Sequence, residues 1–315
     1  MPESFFVLSK ENLELAKDEI IAIAKTYDRF AKAQSFSNLV IIQSRTPWEK
    51  IAKRATYVKT SGQVLKKMSN LFLDNDYFSL LLKTKTFACR VINLSSKDFD
   101  ASEIENAMGN MISKFSKAKV SLDDPSLVIY IIFTNSQSFF GFSNKFIESK
   151  PPKKVKKHPH ELDWKLCRVM INLAGFKEGE TVCDPFCGTG TTLLQAESMG
   201  LRSIGIDFDK KMCDISNQNL KVNQFSSKVV NADFSHLKKI IKKYDGIVTD
   251  LPYGRASKSS DTPEKLLHNL VAILPRKKRI AIMCKKGSEK GLNLNLTKKY
   301  EIYRHKSLTR MILVK

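Results

Sequence analysis

Hydrophobic and polar positions follow one rhythm up to about residue 150 and another beyond it. In the first part, short apolar runs stand beside amphipathic stretches. Phe5 to Leu8 and Leu39 to Gln43 read as strands, and Glu11 to Lys25 carries apolar residues at helical spacing. Trp48 to Thr56 is a predicted helix with Pro47 in its first turn, where a missing N–H is tolerated. Phe87 to Asn93 alternates as a strand, and Ser102 to Phe115 reads as a helix opened by a Ser102/Glu105 capping pair. Leu127 to Phe133 is an apolar strand with Phe139 to Phe142 as its candidate partner.

Past Lys150 the pattern becomes a regular alternation of strand and helix. Helices are predicted over 163–174, 191–199, 212–223, 235–241 and 262–274. Strands are predicted over 181–184, 202–206, 228–231, 245–249 and 279–284, with 300–305 and 310–314 as a closing hairpin. Such alternation predicts a parallel, doubly wound sheet, whose ligands sit at the carboxyl ends of the strands. Asp184, Asp207, Asp233 and Asp250 all fall at or just past those ends. One acid there is chance; four in successive strands outline the rim of a site. Between the two rhythms lies Lys150-Pro151-Pro152-Lys153-Lys154-Val155-Lys156-Lys157. Its prolines favour extended chain and its lysines keep it in water. The expected organisation is an α+β region over 1–148, a basic Pro/Lys linker over 149–160 and a Rossmann-like α/β domain over 161–315.

Composition narrows the classes. A chain of 315 residues fits roughly two domains, and 42% hydrophobic residues suffice for a core. No run of ~18 apolar residues predicts a membrane span. Met1-Pro2-Glu3-Ser4 lacks the basic and apolar regions of a secretory signal. Six cysteines without a CxxC pair argue against a disulfide framework or a metal site, and a reducing cytoplasm fits them best. The net charge is +21, divided as +9 over residues 1–160 and +12 over 161–315. A positive field spread over both halves favours a polyanionic partner. A solubility charge and an anionic lipid surface are the competing readings, the latter without a long basic amphipathic helix to support it.

The chemistry is carried by four segments. Asp184-Pro185-Phe186-Cys187-Gly188-Thr189-Gly190-Thr191 joins the first strand of the second half to its helix. Gly188 and Gly190 allow close backbone approach to a ligand. The phosphate-binding GxxxxGK[ST] is absent, and Leu193 stands where a dinucleotide fingerprint needs its third glycine. The turn suits a ligand without phosphates, or it is a structural turn alone. Asp207 ends the next strand, where a carboxylate can accept both ribose hydroxyls. Asp233 can accept from an exocyclic adenine amine or cap the following helix. An adenosine-shaped arrangement without phosphate-binding features points to S-adenosylmethionine.

Asp250-Leu251-Pro252-Tyr253 follows the pattern [DNS]-P-P-[YFW] of methyltransferases acting on amines, with Leu251 for the first proline. An aromatic amine is a poor nucleophile because its lone pair is delocalised into the ring. The Asp250 carboxylate and the backbone carbonyl near Pro252 can accept its two N–H bonds, and Asp250 can take the released proton. Tyr253 would stack on a base turned out of its helix. A strand-end turn of this composition also arises by chance. Carbon-5 pyrimidine methylation needs a nucleophilic Cys after Pro or Thr, and no such pair occurs. Cys183 and Cys187 read as small buried residues.

From His158 onward the chain resembles the archaeal and eukaryotic tRNA (guanosine-10-N2)-methyltransferases. The resemblance rests on His158-Pro159-His160-Glu161-Leu162-Asp163-Trp164-Lys165-Leu166-Cys167, the glycine turn, Asp250-Leu251-Pro252-Tyr253-Gly254-Arg255 and His305-Lys306-Ser307-Leu308-Thr309-Arg310. Trp164 stands where the family often has Pro, and Lys154 to Lys157 where it often has Arg-Pro-aromatic-Phe. The first half is similar to a THUMP module preceded by a ferredoxin-like piece. That similarity is carried by Phe87-Ala88-Cys89-Arg90-Val91, Gly109 and Val120 to Leu127.

The resemblance implies a class I methyltransferase domain using S-adenosylmethionine, with a THUMP half that holds the tRNA acceptor end. For the catalytic site it implies Asp250, Pro252 and Tyr253. For the cofactor it implies His158, Pro159, Asp184, Pro185, Phe186, Cys187, Gly188, Thr189, Gly190, Thr191, Asp207, Phe208, Asp233, Phe234 and Asp250. RNA contacts are expected at Arg255, Lys258, Lys153, Lys154 and Arg90. The expected partner is tRNA, with no membrane; eukaryotic relatives use a small activator protein, and otherwise a monomer is expected. Two alternatives stand beside this reading: the same chemistry on another tRNA guanine or on an adenine or cytosine amine, and an RNA-binding protein with a relic cofactor fold.

Overall fold

The computed structural model describes residues 1–68, 86–116, 118–144, 150–158, 161–252, 262–306 and 308–315. The chain forms two compact units. The first comprises Met1–Lys53 and Tyr57–Glu148; the second comprises Arg54–Thr56 and Ser149–Lys315.

The first unit is built on β1 (Glu3–Leu8), β2 (Lys32–Phe36), β3 (Leu39–Gln43), β4 (Val58–Met68), β5 (Thr86–Asn93), β6 (Lys119–Val120), β7 (Leu127–Phe133) and β8 (Ser138–Asn144). They make one sheet in the order β2-β3-β1-β4-β8-β7-β5-β6. Its helices are α1 (Leu13–Tyr27), α2 (Trp48–Arg54) and α3 (Ala101–Ser116). The apolar runs settle into two clusters. Phe5, Val7, Leu39, Ile41 and Phe139 pack together in one, and Phe87, Ile129 and Ile131 pack with Met108 and Ile112 of α3 in the other.

Two strands of this sheet carry no apolar signal. Edge strand β2 is exposed over most of its length, and β4 is largely polar yet central, pairing with both β1 and β8. Gly62 makes that position workable, since a Cβ there would meet the Phe142 carbonyl and the Phe5 ring. The start of α3 also differs from expectation. Asp100, not Ser102, caps it by accepting the Ser102 N–H at 2.8 Å, while Glu105 turns away to accept the Val91 N–H at 2.7 Å.

The second unit holds β9 (Thr181–Asp184), β10 (Arg202–Asp207), β11 (Lys228–Asn231), β12 (Gly246–Asp250), β13 (Arg279–Lys285), β14 (Lys298–His305) and β15 (Leu308–Val314). Their order is β11-β10-β9-β12-β13-β15-β14. β9 to β13 run parallel, and β15 is antiparallel to both β13 and β14. The helices are α4 (Trp164–Leu173), α5 (Thr191–Ser198), α6 (Lys210–Val222), α7 (Leu237–Ile240) and α8 (Pro263–Ile273). This is the doubly wound sheet that the strand–helix alternation predicts. The chain runs outward from β9 to β11 and returns to β12 on the other side of β9. The strand order therefore reverses at β9, the place where such sheets open a crevice for ligands.

Residues 150–158 are not a free tether. Asn223 and Lys153 exchange hydrogen bonds, Lys153 N–H to Asn223 Oδ1 at 2.9 Å and Asn223 Nδ2 to the Lys153 carbonyl at 2.8 Å. Buried Asn219 does the same for Val155 N–H and the Lys156 carbonyl, both at 2.9 Å. The segment is strapped along α6 by two asparagines one helical turn apart.

Candidate active site

Each strand-end acid is held in its own way. Asp184 closes β9 and is 2% exposed. Its Oδ1 accepts the Phe186 N–H at 3.1 Å and the Thr249 hydroxyl at 2.6 Å. Burial pushes its carboxyl up to about 6, against the lowering effect of those bonds. Asp207 closes β10, and both its oxygens take backbone N–H groups: Gly188 to Oδ2 at 2.8 Å and Asp209 to Oδ1 at 2.9 Å. That grip sets the carboxylate across the glycine turn. Asp233 lies two residues past β11, is exposed, and caps a short 3₁₀ turn by accepting the Ser235 N–H at 2.8 Å. Of the two roles open to it, the structure displays the cap.

The turn itself fits an adenosine-bearing ligand. Gly188 has φ 50°, and a Cβ built there would meet nothing within 4 Å, so its backbone faces open space. Gly190 has φ 85° and forms the N-cap of α5. The Phe186 and Phe234 rings touch at a tilt of 41° with centres 4.9 Å apart, and Phe208 is exposed immediately after Asp207. Pro185 and Cys187 are buried beneath the turn. Cys183 is fully buried as well, and burial drives both thiols far above their usual range. These two cysteines are packing residues.

Asp250 closes β12, the strand beside β9. Thr249, its neighbour in sequence, donates to Asp184, so the ends of β9 and β12 that carry the two acids are tied together at the reversal point of the sheet. Oδ2 of Asp250 lies 3.7 Å from Nη1 of Arg310, a side chain on β15 that is 8% exposed. Oδ1 is buried and has no hydrogen-bond partner among the described residues. Burial pushes this carboxyl up to about 7, opposed by Arg310 and Arg304 and reinforced by the negative charge of Asp184. Among the described residues this buried acceptor has no donor, which is unusual. Leu251 fills the position of the missing proline and is 1% exposed in the core under α8.

Tyr253, Arg255 and Lys258, and Pro159 of the His-Pro pair, lie outside the described residues. His158 donates its backbone N–H to Glu161 Oε2 at 3.2 Å. Lys153 is exposed. Arg90 bonds the Leu122 carbonyl at 3.2 Å and sits 3.9 Å from Glu105, in the first unit. Lys154 corrects an expectation. It is not an open RNA contact: its ammonium bonds Thr191 Oγ1 at 2.6 Å, Glu161 Oε2 at 2.8 Å and Thr189 Oγ1 at 3.2 Å. Its side chain is 9% exposed, and desolvation lowers its pKa. Glu161 also accepts the Thr189 hydroxyl at 2.9 Å. Lys154 and Glu161 thus lock the strap to the glycine turn. Sequence reasoning missed Glu161 as a site residue; its place three residues past His158 was the only signal.

Comparisons with known proteins agree with this geometry. A family profile described as RMKL-like, methyltransferase domain, matches residues 151–290, and one described as DNA methylase matches residues 1–218. The second span takes in the glycine turn and ends before Asp250. The tRNA (guanine(10)-N2)-dimethyltransferase of Methanocaldococcus jannaschii is 28% identical over 98% of both chains. The probable tRNA (guanine(10)-N2)-dimethyltransferase of Methanothermococcus thermolithotrophicus is 38% identical over 48% of this chain and 96% of its own length. TrmN from Thermus thermophilus shares the fold over 99% of both chains, with a TM-score of 0.53 at 16% identity. Sheet order and site define a class I methyltransferase. Within that class, the chain belongs to the tRNA (guanine(10)-N2)-dimethyltransferase family.

Proposed function

We propose that this protein methylates N2 of a guanosine in tRNA, at position 10 and to the dimethyl stage, using S-adenosylmethionine. The observation that carries the reading is Asp250: a half-buried carboxylate with one oxygen against Arg310 and the other, buried, without a donor among the described residues, in the unit that holds an open glycine turn. When bound, S-adenosylmethionine supplies an electrophilic methyl group on a sulfonium. Asp207 fits the ribose hydroxyls, and the exposed backbone of Gly188 lets that ligand lie close to the turn. Asp250 accepts an N–H of the guanine amine through its open oxygen, fixing the nitrogen's orientation and stabilising the charge that grows on it. In this reading the Pro252 carbonyl takes the second N–H, and Asp250 then takes the released proton. The guanine amine of a paired stem faces the minor groove, so the base must leave its stack to reach Asp250. In this reading the first unit is the THUMP-bearing half that docks the tRNA end, and the chain acts as a monomer.

The test is a reaction of the purified chain alone with unmodified tRNA and S-adenosylmethionine, followed by nucleoside mass spectrometry with the modified position mapped. Dimethylguanosine at position 10 is expected, with no activator added. Asp250→Ala should lower turnover by about 100-fold or more while tRNA and S-adenosylhomocysteine still bind. Methylation of an adenine or cytosine amine instead would overturn the substrate assignment, and full activity of the variant would overturn the role of Asp250.

A further inference from the structure

A cavity of about 890 Å³ opens beside this site within the second unit. Among the described residues, none of the four strand-end aspartates lines it. It is therefore a different compartment from the adenosine side of the glycine turn. It touches the reaction centre at two points. Thr191 and Lys154 lie on its wall and belong to the locked turn. Arg310 lies on its wall too, and is the side chain 3.7 Å from the Asp250 carboxylate. A base held at Asp250 stays joined to its strand, and the nucleotide beside it needs a place within reach of Arg310.

The lining states the chemistry of what the cavity would hold. Lys153 and Lys157 of the strap and Arg304 of β14 are exposed and face the same space. The acids of the wall are already engaged: Glu161 pairs with Lys154, and Asp163 caps α4 by accepting the Lys165 and Leu166 N–H groups. The remaining field is positive. Trp164, at the start of α4, adds an aromatic surface to the same wall. Cations around an aromatic ring, in a space of the size that encloses small ligands, match a nucleotide with its phosphate.

We propose that this cavity receives the nucleotide next to the target guanosine in the RNA strand, with its phosphates held by Lys153, Lys157 and Arg304 and its base stacked on Trp164. The inference rests on the methyl-transfer reading above and adds to it the pocket in which the strand beside the target base lies.

Two measurements test it on the full chain: tRNA affinity as a function of salt, and S-adenosylhomocysteine affinity by calorimetry. In K153A/K157A/R304A the plot of log affinity against log salt should be shallower by about 2, given ~0.7–0.9 per lost phosphate contact. S-adenosylhomocysteine should bind as in the wild type. Trp164→Ala should raise KM for tRNA by about tenfold, and Trp164→Phe should restore most of the loss because a phenyl ring also stacks. An unchanged salt slope in the triple variant would overturn the cavity assignment. So would a Trp164→Ala variant that loses S-adenosylhomocysteine affinity as much as tRNA affinity, since the cavity would then serve the cofactor. Both outcomes leave wild-type methylation intact, whereas a wild type that binds no S-adenosylhomocysteine would overturn the methyl-transfer reading itself.

Discussion

Asp250 is the residue whose environment most directly sets its chemistry. With its carboxyl near 7, it is largely protonated in mildly acidic solution and cannot then take the proton released by the amine. The groups around it are Arg310, Arg304 and Asp184. The limb of kcat/KM that rises with pH should therefore have its midpoint near 7 and vanish in Asp250→Asn, measured on the full chain at constant ionic strength. The same shift has a stability consequence. An acid whose folded pKa is raised keeps its proton in the native state while the unfolded chain, near 3.8, has lost it. Native stability then falls as pH rises between those two values. The stability of Asp250→Asn relative to wild type should increase by about 2–3 kcal/mol between pH 5 and pH 8, read from urea titrations at both. At this scale the sequence was legible in placement, since Asp184, Asp207 and Asp250 each close a strand as their pattern predicts. It was not legible for Lys154. That residue sits in a run of lysines that reads as solvated, and its three bonds reach Glu161, Thr189 and Thr191, whose proximity only the folded chain creates.

At the scale of elements, the glycine turn is where backbone geometry and ligand access coincide. Gly190 has φ 85°, and a Cβ there would come within 2.4 Å of Ser216 Oγ on α6. Gly190→Ala should cost about 1–3 kcal/mol through both strain and clash. Adding Ser216→Ala removes the hydroxyl but leaves the positive φ, so the double variant should recover part of the loss and not all of it, as thermal melts of the three variants would show. Asp207→Ala should weaken S-adenosylhomocysteine binding by about tenfold or more with little effect on tRNA affinity, by titration of each ligand. The strand–helix alternation of the second half made these elements readable to within a residue or two. β4 was unreadable because its side chains are polar on a strand whose central place is made possible by Gly62. The strap along α6 was unreadable because a Pro/Lys-rich segment has the composition of a linker, and only Asn219 and Asn223 decide otherwise.

At the scale of the whole molecule, the charge of +21 agrees with a tRNA partner, and its spread over both halves is what a long polyanion would require. Among the described residues no helix is long and apolar enough to cross a membrane. The second unit has a composition that sequence did not suggest: it includes Arg54–Thr56. Arg54 is 6% exposed, donates to Asn172 Oδ1 at 2.9 Å and to the Phe176 carbonyl, and its own carbonyl accepts from Arg168 Nε at 3.1 Å and Asn172 Nδ2 at 3.0 Å. Arg54→Ala should lower the stability of this unit by about 2–5 kcal/mol in denaturant titrations, because the Asn172 and Phe176 acceptors lose a charged donor. The tripeptide also bears on how such proteins can be assembled from parts. A gene fusion that joins residues 149–315 to a different N-terminal module would leave behind three residues that belong to the second unit. The recombinant would inherit the reaction chemistry without one of the arginines that brace it. Exchange of modules at this junction is therefore restricted to donors that carry an equivalent arginine at the equivalent place.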